Sequence, residues 1–311
     1  MTGRPWRSFG RSWRASRTTR RRSPSSTNSR PRRRRGRVSR GRAASDSGAQ
    51  HRFISGAGLS DVGRKRKSNE DSFAISEDGT LLVVADGMGG HAAGEVASRL
   101  AVESIERHIS GSDPRKEPTI PASFRSPSGG EAGLPAPARR VLNAIRLANQ
   151  EIVRSVRKDS SMRGMGTTVV IAHIHGTRAY IGSVGDSRAY LVRDGSLRQL
   201  TSDHTLVNEQ VRAGALSTQE ARRHPARNIL TRAVGSQEEV EPDLIEEDLR
   251  PGDLLLLCSD GLTTMVEDGE ILKTVLANKD DPAAGCRALV ELANDRGGDD
   301  NVTVILARAG R

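Results

Sequence analysis

Two apolar runs of this chain end directly in an aspartate followed by a glycine, and this pattern constrains the fold more than any other feature. The runs are LLVVAD (81–86) and DLLLLCSD (253–260). Short apolar runs bounded by turn-forming residues predict buried β-strands. The chain is therefore predicted to fold around strands that present Asp86 and Asp260 at their ends.

Strand and helix signals are grouped along the chain and do not alternate strictly. Strands are predicted at 53–60, 72–76, 81–86, 167–176, 178–186, 187–195, 253–260 and 301–308. Apolar spacing predicts helices at 91–108, 138–157, 205–213, 268–278 and 282–295. Runs of strands favour an α+β sandwich built from antiparallel sheets over a doubly wound parallel fold. The three strands between 167 and 195 are predicted to form a meander, with turns at Gly176 and Asp194-Gly195.

Charge is distributed very unevenly along the chain. The net charge is +11, yet residues 1–50 contain sixteen arginines and one acid and carry about +15, which leaves about −4 for residues 51–311. The first fifty residues cannot bury enough apolar surface to offset chain entropy, so a disordered tail is predicted there. Three interpretations stay open for it: an extension without a role, a segment that binds nucleic acid or another polyanion, and a transit-type peptide.

Residues 51–311 are predicted to form one domain. Residues 110–137 are dense in Pro, Gly and Ser, which is typical of a flexible surface loop, here between two helices. No run of eighteen apolar residues occurs in the sequence, so no membrane-spanning segment is predicted.

The two cysteines, Cys258 and Cys286, argue against two classes of site. They form no CxxC pair, which disfavours a zinc site. A cysteine-dependent phosphatase needs an arginine six residues after its cysteine, whereas Thr264 and Leu292 occupy those positions. Both cysteines are predicted to be small core residues.

Aspartates recur where predicted strands begin or end, at positions 71, 86, 186, 260 and 300. Acids that meet at one edge of a sheet repel one another and raise one another's pKa unless cations hold them. Oxygen ligands without a nearby Cys/His set favour hard ions such as Mg²⁺ or Mn²⁺. The competing interpretation of each aspartate alone is a cap of a turn or helix.

Eight motifs in a fixed order make the chain similar to a known family. They are SDVGRKRKSNEDS (60–72), VADGMGGHAAGE (84–95), GMGTTVV (164–170), GDSRAYL (185–191), SDHTLV (202–207), NILTRAVG (228–235), LLCSDGLT (256–263) and GGDDNVTVIL (297–306). They resemble the metal-dependent PP2C-type protein serine/threonine phosphatases in their bacterial form. The resemblance covers residues 53–308 and implies two antiparallel sheets packed as a sandwich, flanked by helices on both sides.

The resemblance also implies a centre of two Mn²⁺ or Mg²⁺ ions. The implied ligands are Asp71, Asp86, the carbonyl of Gly87, Asp260 and Asp300, with Asp299 as the solvated neighbour of Asp300 in the same motif. Asp186 resembles the residue that holds a third, weaker ion together with Asp260.

Two further residues are implied to act on the substrate. Arg66 matches the arginine that binds the substrate phosphate, since a guanidinium fork suits a phosphate; Arg64 is the alternative, but its spacing to Asn69 fits less well. His91 resembles the proposed general acid, against the alternative of a structural histidine at a helix start. Other motif residues are interpreted as supporting groups (Asn69 and Glu70) or as strand packing (Thr167 and Thr168).

The implied reaction is hydrolysis of phosphoserine and phosphothreonine, in which a hydroxide bridging two metal ions attacks phosphorus without a covalent intermediate. Such an enzyme opposes serine/threonine kinase signalling, so its expected partners are phosphorylated proteins, a kinase among them. The expected location is the cytoplasm, with no membrane partner. Two alternatives remain: an inactive PP2C-fold protein that binds partners, and a protein that binds polyanions through residues 1–50.

Residues 202–235 resemble the family's flap beside the active site. They contain a cationic cluster of Arg222, Arg223, His224 and Arg227. The cluster is interpreted either as part of a mobile lid that contacts phosphopeptides or as a solvated helix face.

Overall fold

The structure, a computed structural model, describes residues 54–89, 92–110 and 133–310. The predicted disordered tail (1–50), most of the predicted loop (110–137) and His91 lie outside the described residues, so these predictions stay predictions. The first described helix ends at Ser110 and the next begins at Ala136.

Eleven strands form two antiparallel sheets in the described part of the chain. The strands are β1 (Ile54–Asp61), β2 (Asp71–Ile75), β3 (Leu81–Met88), β4 (Gly166–Thr167), β5 (Val169–His175), β6 (Arg178–Val184), β7 (Arg188–Arg193), β8 (Ser196–Gln199), β9 (Asp243–Asp248), β10 (Leu254–Cys258) and β11 (Val302–Ala309). One sheet has the order β1-β11-β10-β7-β8, and the other has the order β2-β3-β5-β6-β9, with β4 paired to β3.

Helices cover the outer faces of both sheets. The α-helices of the described residues are α1 (Ala92–Ser110), α2 (Ala136–Lys158), α3 (Leu206–Arg212), α4 (Thr218–Arg223), α5 (Asp260–Thr263), α6 (Asp268–Ala277) and α7 (Pro282–Asp295), of which α1, α2, α6 and α7 form the covering layers. One apolar cluster packs α1 and α2 against the second sheet, and another packs α6 and α7 against the first. Among the described helices, none combines the length and apolar character that crossing a membrane requires.

A third apolar cluster fills the space between the two sheets. It joins Leu82 and Val84 of β3 to Leu255 and Leu257 of β10 and to Ile305 of β11. These side chains alternate along their strands, so every second residue faces the partner sheet while the others face a helix layer. The predicted α+β sandwich with helices on both sides is confirmed.

The predicted meander is wrong in one respect. The β5–β6 hairpin turns at Gly176 as predicted, and Asp194 adopts a left-handed φ of 50° in the β7–β8 turn. However, β6 pairs with β5 and β9, whereas β7 pairs with β10 in the other sheet. The chain crosses between sheets at Gly185, where a φ of 100° redirects the backbone.

Candidate active site

Asp71 and Asp86 lie directly opposite each other on neighbouring strands. They form a cross-strand pair where β2 begins and β3 nears its end. Like charges in this position destabilise a sheet unless a proton or a cation compensates. Burial raises the pKa of Asp71 to about 7, even though the hydroxyl of Ser259 donates to its Oδ2 at 2.8 Å.

Asp260 and Asp186 join this pair from other strands of the sandwich. Asp260 follows β10 as the first residue of α5, and Asp186 lies in the crossing between β6 and β7. Burial raises the pKa of Asp186 to about 8, and Asp260 is the next cause. Burial also raises the pKa of Asp260, with Asp300 as the next cause.

Asp86 is influenced by the charges of the other four aspartates. It keeps part of its surface accessible, yet the loss of water around its carboxylate raises its pKa well above the ordinary value. The charges that add to this rise come from Asp71, Asp260, Asp186 and Asp300, in that order. Four of the aspartates thus act electrostatically on the fifth, although they come from distant parts of the sequence.

Two carboxylate oxygens of the aspartate group are buried without a partner that would compensate their charge. Oδ1 of Asp71 and Oδ1 of Asp260 are buried without a hydrogen-bond partner. Buried carboxylate oxygens of this kind fit hard divalent cations.

The described residues do not place three acidic, histidine or cysteine groups ready to hold one ion. Local partners explain this arrangement. The hydroxyl of Ser259 donates to Oδ2 of Asp71, and Arg66 donates to Oδ2 of Asp300. The donor set fits divalent ions, and an ion that binds Asp300 competes with Arg66 for its carboxylate.

Arg66 is the arginine that contacts the carboxylate group. Its Nη2 donates to Oδ2 of Asp300 at 2.6 Å, and its side chain remains about half exposed. The neighbouring cation Lys65 pairs with Asp299 at 2.6 Å, where both groups are well exposed. Arg66 and Asp300 therefore belong to the site, and Lys65 and Asp299 form a solvated pair beside it.

The backbone of Asp86 is fixed by the two threonines that the sequence indicated only as strand packing. The Thr167 hydroxyl donates to the Asp86 carbonyl at 2.8 Å, and the Asp86 amide donates to Thr168 Oγ1 at 3.0 Å. The Thr168 amide also donates to the Asp86 carbonyl at 2.8 Å. These residues hold Asp86 in position in addition to packing.

Close backbone packing leaves no room for a side chain at Gly87. A Cβ at this position would lie 2.1 Å from the carbonyl oxygen of Gly94 and 2.6 Å from that of Glu70. The strand end, the start of α1 and the segment before β2 therefore meet at backbone distance. A Cβ on Gly94 would likewise lie 2.0 Å from a carboxylate oxygen of Glu70, so Glu70 is a buried supporting group of this contact.

Asn301 is a site residue that the sequence interpretation missed. It is 4% exposed. Its Nδ2 donates to the carbonyls of Val62 and Ser68 at 3.0 and 2.9 Å, and its Oδ1 accepts from the Glu70 amide at 2.7 Å. The buried side-chain amide of Asn301 thus joins the two ends of the segment that carries Arg66. Its position directly after Asp300 in the motif was the available signal.

The predicted flap contains helices α3 and α4, and backbone contacts join its two ends at its base. The Thr231 amide donates to the His204 carbonyl at 2.8 Å, and Thr205 bridges Leu230. His204 is 1% exposed and accepts from the Gly185 amide at 3.1 Å, next to Asp186. Arg223 and Arg227 are exposed. The structure thus ties the flap base to the aspartate group, while its role as a mobile lid stays a prediction.

Comparison with known proteins assigns the chain to a family. A family model described as protein phosphatase 2C matches residues 62–293. The chain belongs to the protein phosphatase 2C family. The matched range contains four of the five aspartates and Arg66, and only Asp300 lies just beyond it.

Bacterial members of the protein phosphatase 2C family resemble the chain over most of its length. The serine/threonine phosphatase stp of Listeria monocytogenes is 39% identical over 249 residues, 79% of this chain and 92% of the relative. The solved structure of the Mycobacterium tuberculosis phosphatase PstP/Ppp superposes with a TM-score of 0.72 at 38% identity, covering 83% of this chain and 99% of that one. A PstP catalytic domain in complex with two manganese ions gives 0.69 at 36% identity, with the same coverage.

The predicted family and activity are confirmed. The chain is a protein serine/threonine phosphatase of the metal-dependent class. The alternatives, an inactive partner-binding protein and a protein acting through its arginine-rich segment, are not favoured.

Proposed function

We propose that the chain hydrolyses phosphoserine and phosphothreonine in proteins at a two-ion centre. Its ligands are Asp71, Asp86, the Gly87 carbonyl, Asp260 and Asp300. The observation that carries this proposal is the meeting of buried aspartates with two carboxylate oxygens left unpartnered. The manganese-bound PstP domain, of the same family and fold, supports two ions at such a centre.

Bound divalent ions supply a water of lowered pKa and positive charge beside the phosphoryl oxygens. The protein's own contribution is to hold the ligand groups in place before the substrate arrives. Ser259 orients Asp71, and Thr167 and Thr168 hold the backbone at Asp86. The ligand groups at β2 and β3 therefore need little backbone reorganisation.

Arg66 binds the phosphoryl oxygens of the substrate. Its guanidinium is about half exposed and lies against Asp300, one of the proposed ligands. A guanidinium offers two parallel N–H donors to two phosphate oxygens and keeps its charge at any relevant pH. Arg66 is therefore placed to hold the phosphate next to the ions and to stabilise charge that develops on it.

His91 donates a proton to the departing serine or threonine oxygen in this proposal. The support is its place in the motif, five residues after Asp86 and directly before α1. Histidine is the side chain that most often transfers protons in catalysis near neutral pH. The leaving alkoxide needs this proton because the pKa of the corresponding alcohol lies far above the pH of the solution.

Asp186 holds a third, weaker ion together with Asp260. The support is electrostatic, because Asp260 is the largest charge contribution to the raised pKa of Asp186. Either Mn²⁺ or Mg²⁺ suits an all-oxygen set, so both are proposed cofactors.

The proposed substrates are phosphorylated proteins, including a serine/threonine kinase. The flap, with Arg223 and Arg227 exposed, contacts the phosphopeptide chain. For residues 1–50, binding of nucleic acid or another polyanion stays one of the three interpretations given above, and it is separate from the proposed hydrolysis. The cytoplasmic location also stays a proposal, which cell fractionation tests.

Hydrolysis of three matched peptides tests this function. The peptides differ only in carrying phosphoserine, phosphothreonine or phosphotyrosine, and each is assayed with Mn²⁺, with Mg²⁺ and with EDTA. We expect turnover of the first two peptides with either metal and none with EDTA. Preferred turnover of phosphotyrosine, or turnover that persists in EDTA, would contradict the proposal.

A further inference from the structure

Four consecutive cations occupy the segment that leads to the active site. Residues 62–68, VGRKRKS, are defined here as the basic loop. Arg64, Lys65, Arg66 and Lys67 are all exposed, and the loop contains no acid. Because residues 51–311 carry a net charge of about −4, the loop is a local exception in charge beside a group of aspartates.

The basic loop is fixed to the rest of the domain at three points. The amides of Arg64 and Lys65 both donate to the Gly298 carbonyl, at 2.8 and 3.2 Å. The buried Asn301 side chain binds the carbonyls of Val62 and Ser68 at the two ends of the loop. The cations are therefore presented from an ordered backbone, so binding to them costs little backbone entropy.

Two of the four cations have no ionic partner among the described residues. Arg66 pairs with Asp300, and Lys65 pairs with Asp299. No ion pair within the described ranges involves Arg64 or Lys67. These two residues flank Arg66 by two positions and one position, so their Cα atoms lie within about 8 Å of it.

We propose that Arg64 and Lys67 select phosphorylated segments that carry further negative charge, as acidic side chains or a second phosphate, next to the hydrolysed residue. The inference rests on the proposed function, because it takes Arg66 as the phosphate-binding residue. A peptide whose phosphate contacts Arg66 brings its neighbouring residues within reach of long, flexible cations on either side. Exposed pairs of this kind each contribute modestly and are screened by salt.

Two phosphothreonine peptides of equal length test the proposal. One has glutamates on both sides of the phosphothreonine, and the other has glutamines at the same positions. The full-length variant Arg64→Gln/Lys67→Gln is compared with wild type and with Lys273→Gln/Lys279→Gln. The control removes two exposed cations from α6 and the segment after it. Lys279 lies before the start of α7, and Gly298, which contacts the basic loop, lies after its end. The length of α7, about 20 Å, separates the two ends of the helix.

We expect wild type and the control to prefer the glutamate peptide in kcat/KM. In the loop variant, the ratio of kcat/KM for the glutamate peptide to that for the glutamine peptide should fall by about 3- to 10-fold. The change should lie mainly in KM, since two exposed charge pairs are removed. Raising the salt concentration should reduce the wild-type preference in the same direction. Hydrolysis of p-nitrophenyl phosphate, which has no flanking residues, should be unchanged in all three proteins.

An unchanged peptide preference in the loop variant would overturn the inference. Earlier elution of the loop variant from immobilised RNA, with an unchanged peptide preference, would also overturn it. In that case the cations of the basic loop bind nucleic acid and do not select peptides. Failure of wild type to hydrolyse p-nitrophenyl phosphate or either peptide with Mn²⁺ would instead refute the proposed function itself. The two failures are therefore distinguishable.

Discussion

Arg66 donates a hydrogen bond to Asp300 at 2.6 Å, which pairs the residue proposed to bind phosphate with a residue proposed to bind metal. The guanidinium acts as a counter-ion for this carboxylate. A cation that binds Asp300 takes over that role and leaves Arg66 freer to meet a phosphate. Metal binding and phosphate binding are therefore expected to favour each other.

Substitution of Arg66 tests this relationship. Arg66→Gln should lower kcat/KM for p-nitrophenyl phosphate by about 100-fold, because two charge-assisted hydrogen bonds are lost. Arg66→Lys should recover part of the loss, since it keeps the charge but not the fork. Isothermal titration should show Mn²⁺ binding to Arg66→Gln at least as tightly as to wild type. Weakened Mn²⁺ binding would show that Arg66 does not compete for Asp300.

Asn301 is expected to be a determinant of both stability and the basic loop. Asn301→Ala leaves the backbone groups of Val62, Ser68 and Glu70 without their partner. The free energy of unfolding should fall by about 3 kcal/mol. Trypsin should also cleave between Arg64 and Lys67 faster under native conditions, which mass spectrometry of early fragments would map. Unchanged cleavage in a destabilised variant would show that Asn301 does not hold the loop.

The aspartates of the site could be found from the sequence because each adjoins a strand with a strong apolar signal. LLVVAD and LLLLCSD are strongly apolar on any hydrophobicity scale, which predicts buried strands. The motif resemblance then indicates which acids meet. The contacts of Asn301 could not be found in this way. They join residues more than 200 positions apart, and local patterns carry no information about such partners.

The missed elements have physical reasons as well. Strand β9, DLIEED, contains four acids and was not predicted as a strand. It lies at the edge of its sheet, where charged residues are tolerated and discourage pairing with other chains. Arg178, on the neighbouring strand, bonds Asp248 at 2.7 Å, so cross-strand ion pairs replace the apolar pattern. Helix α4 was missed because it is only six residues long.

Two glycine substitutions of opposite expected sign test the close approach at Gly87. Gly87→Ala places a Cβ 2.1 Å from a backbone carbonyl oxygen, so it should lower the free energy of unfolding by about 3 kcal/mol. Gly269→Ala, in the first turn of α6, meets no atom within 4 Å. It should stabilise the protein by about 0.5–1 kcal/mol. Urea unfolding measures both, and a neutral Gly87→Ala would contradict the packing described here.

His173 should make stability depend on pH far from the active site. It is 7% exposed, and neither ring nitrogen has a hydrogen-bond partner. Burial lowers the pKa of His173 to about 4, and the charge of Arg140 adds to this effect. The unfolded chain takes up a proton at its ordinary pKa near 6.5, whereas the folded chain does so only near 4. Stability from this residue is therefore complete above pH 6.5 and is lost as the pH falls towards 4.

Urea unfolding at pH 7.5 and pH 5 measures the contribution of His173. The wild type should lose about 2 kcal/mol more than His173→Leu over this interval. His175→Leu is the matched control, since His175 is exposed on the same strand, and it should behave as wild type. Equal losses in all three proteins would show that His173 does not carry the effect.

The proposed metal centre is tested most directly by Mn²⁺-dependent hydrolysis of a phosphothreonine peptide by wild type and Asp86→Asn, with Mn²⁺ stoichiometry measured on the same samples. We predict at least two bound ions and EDTA-sensitive turnover in wild type. For Asp86→Asn we predict a folded protein that has lost at least one ion and nearly all turnover. Full activity and unchanged stoichiometry in Asp86→Asn would contradict the proposal that the buried aspartates form the metal centre.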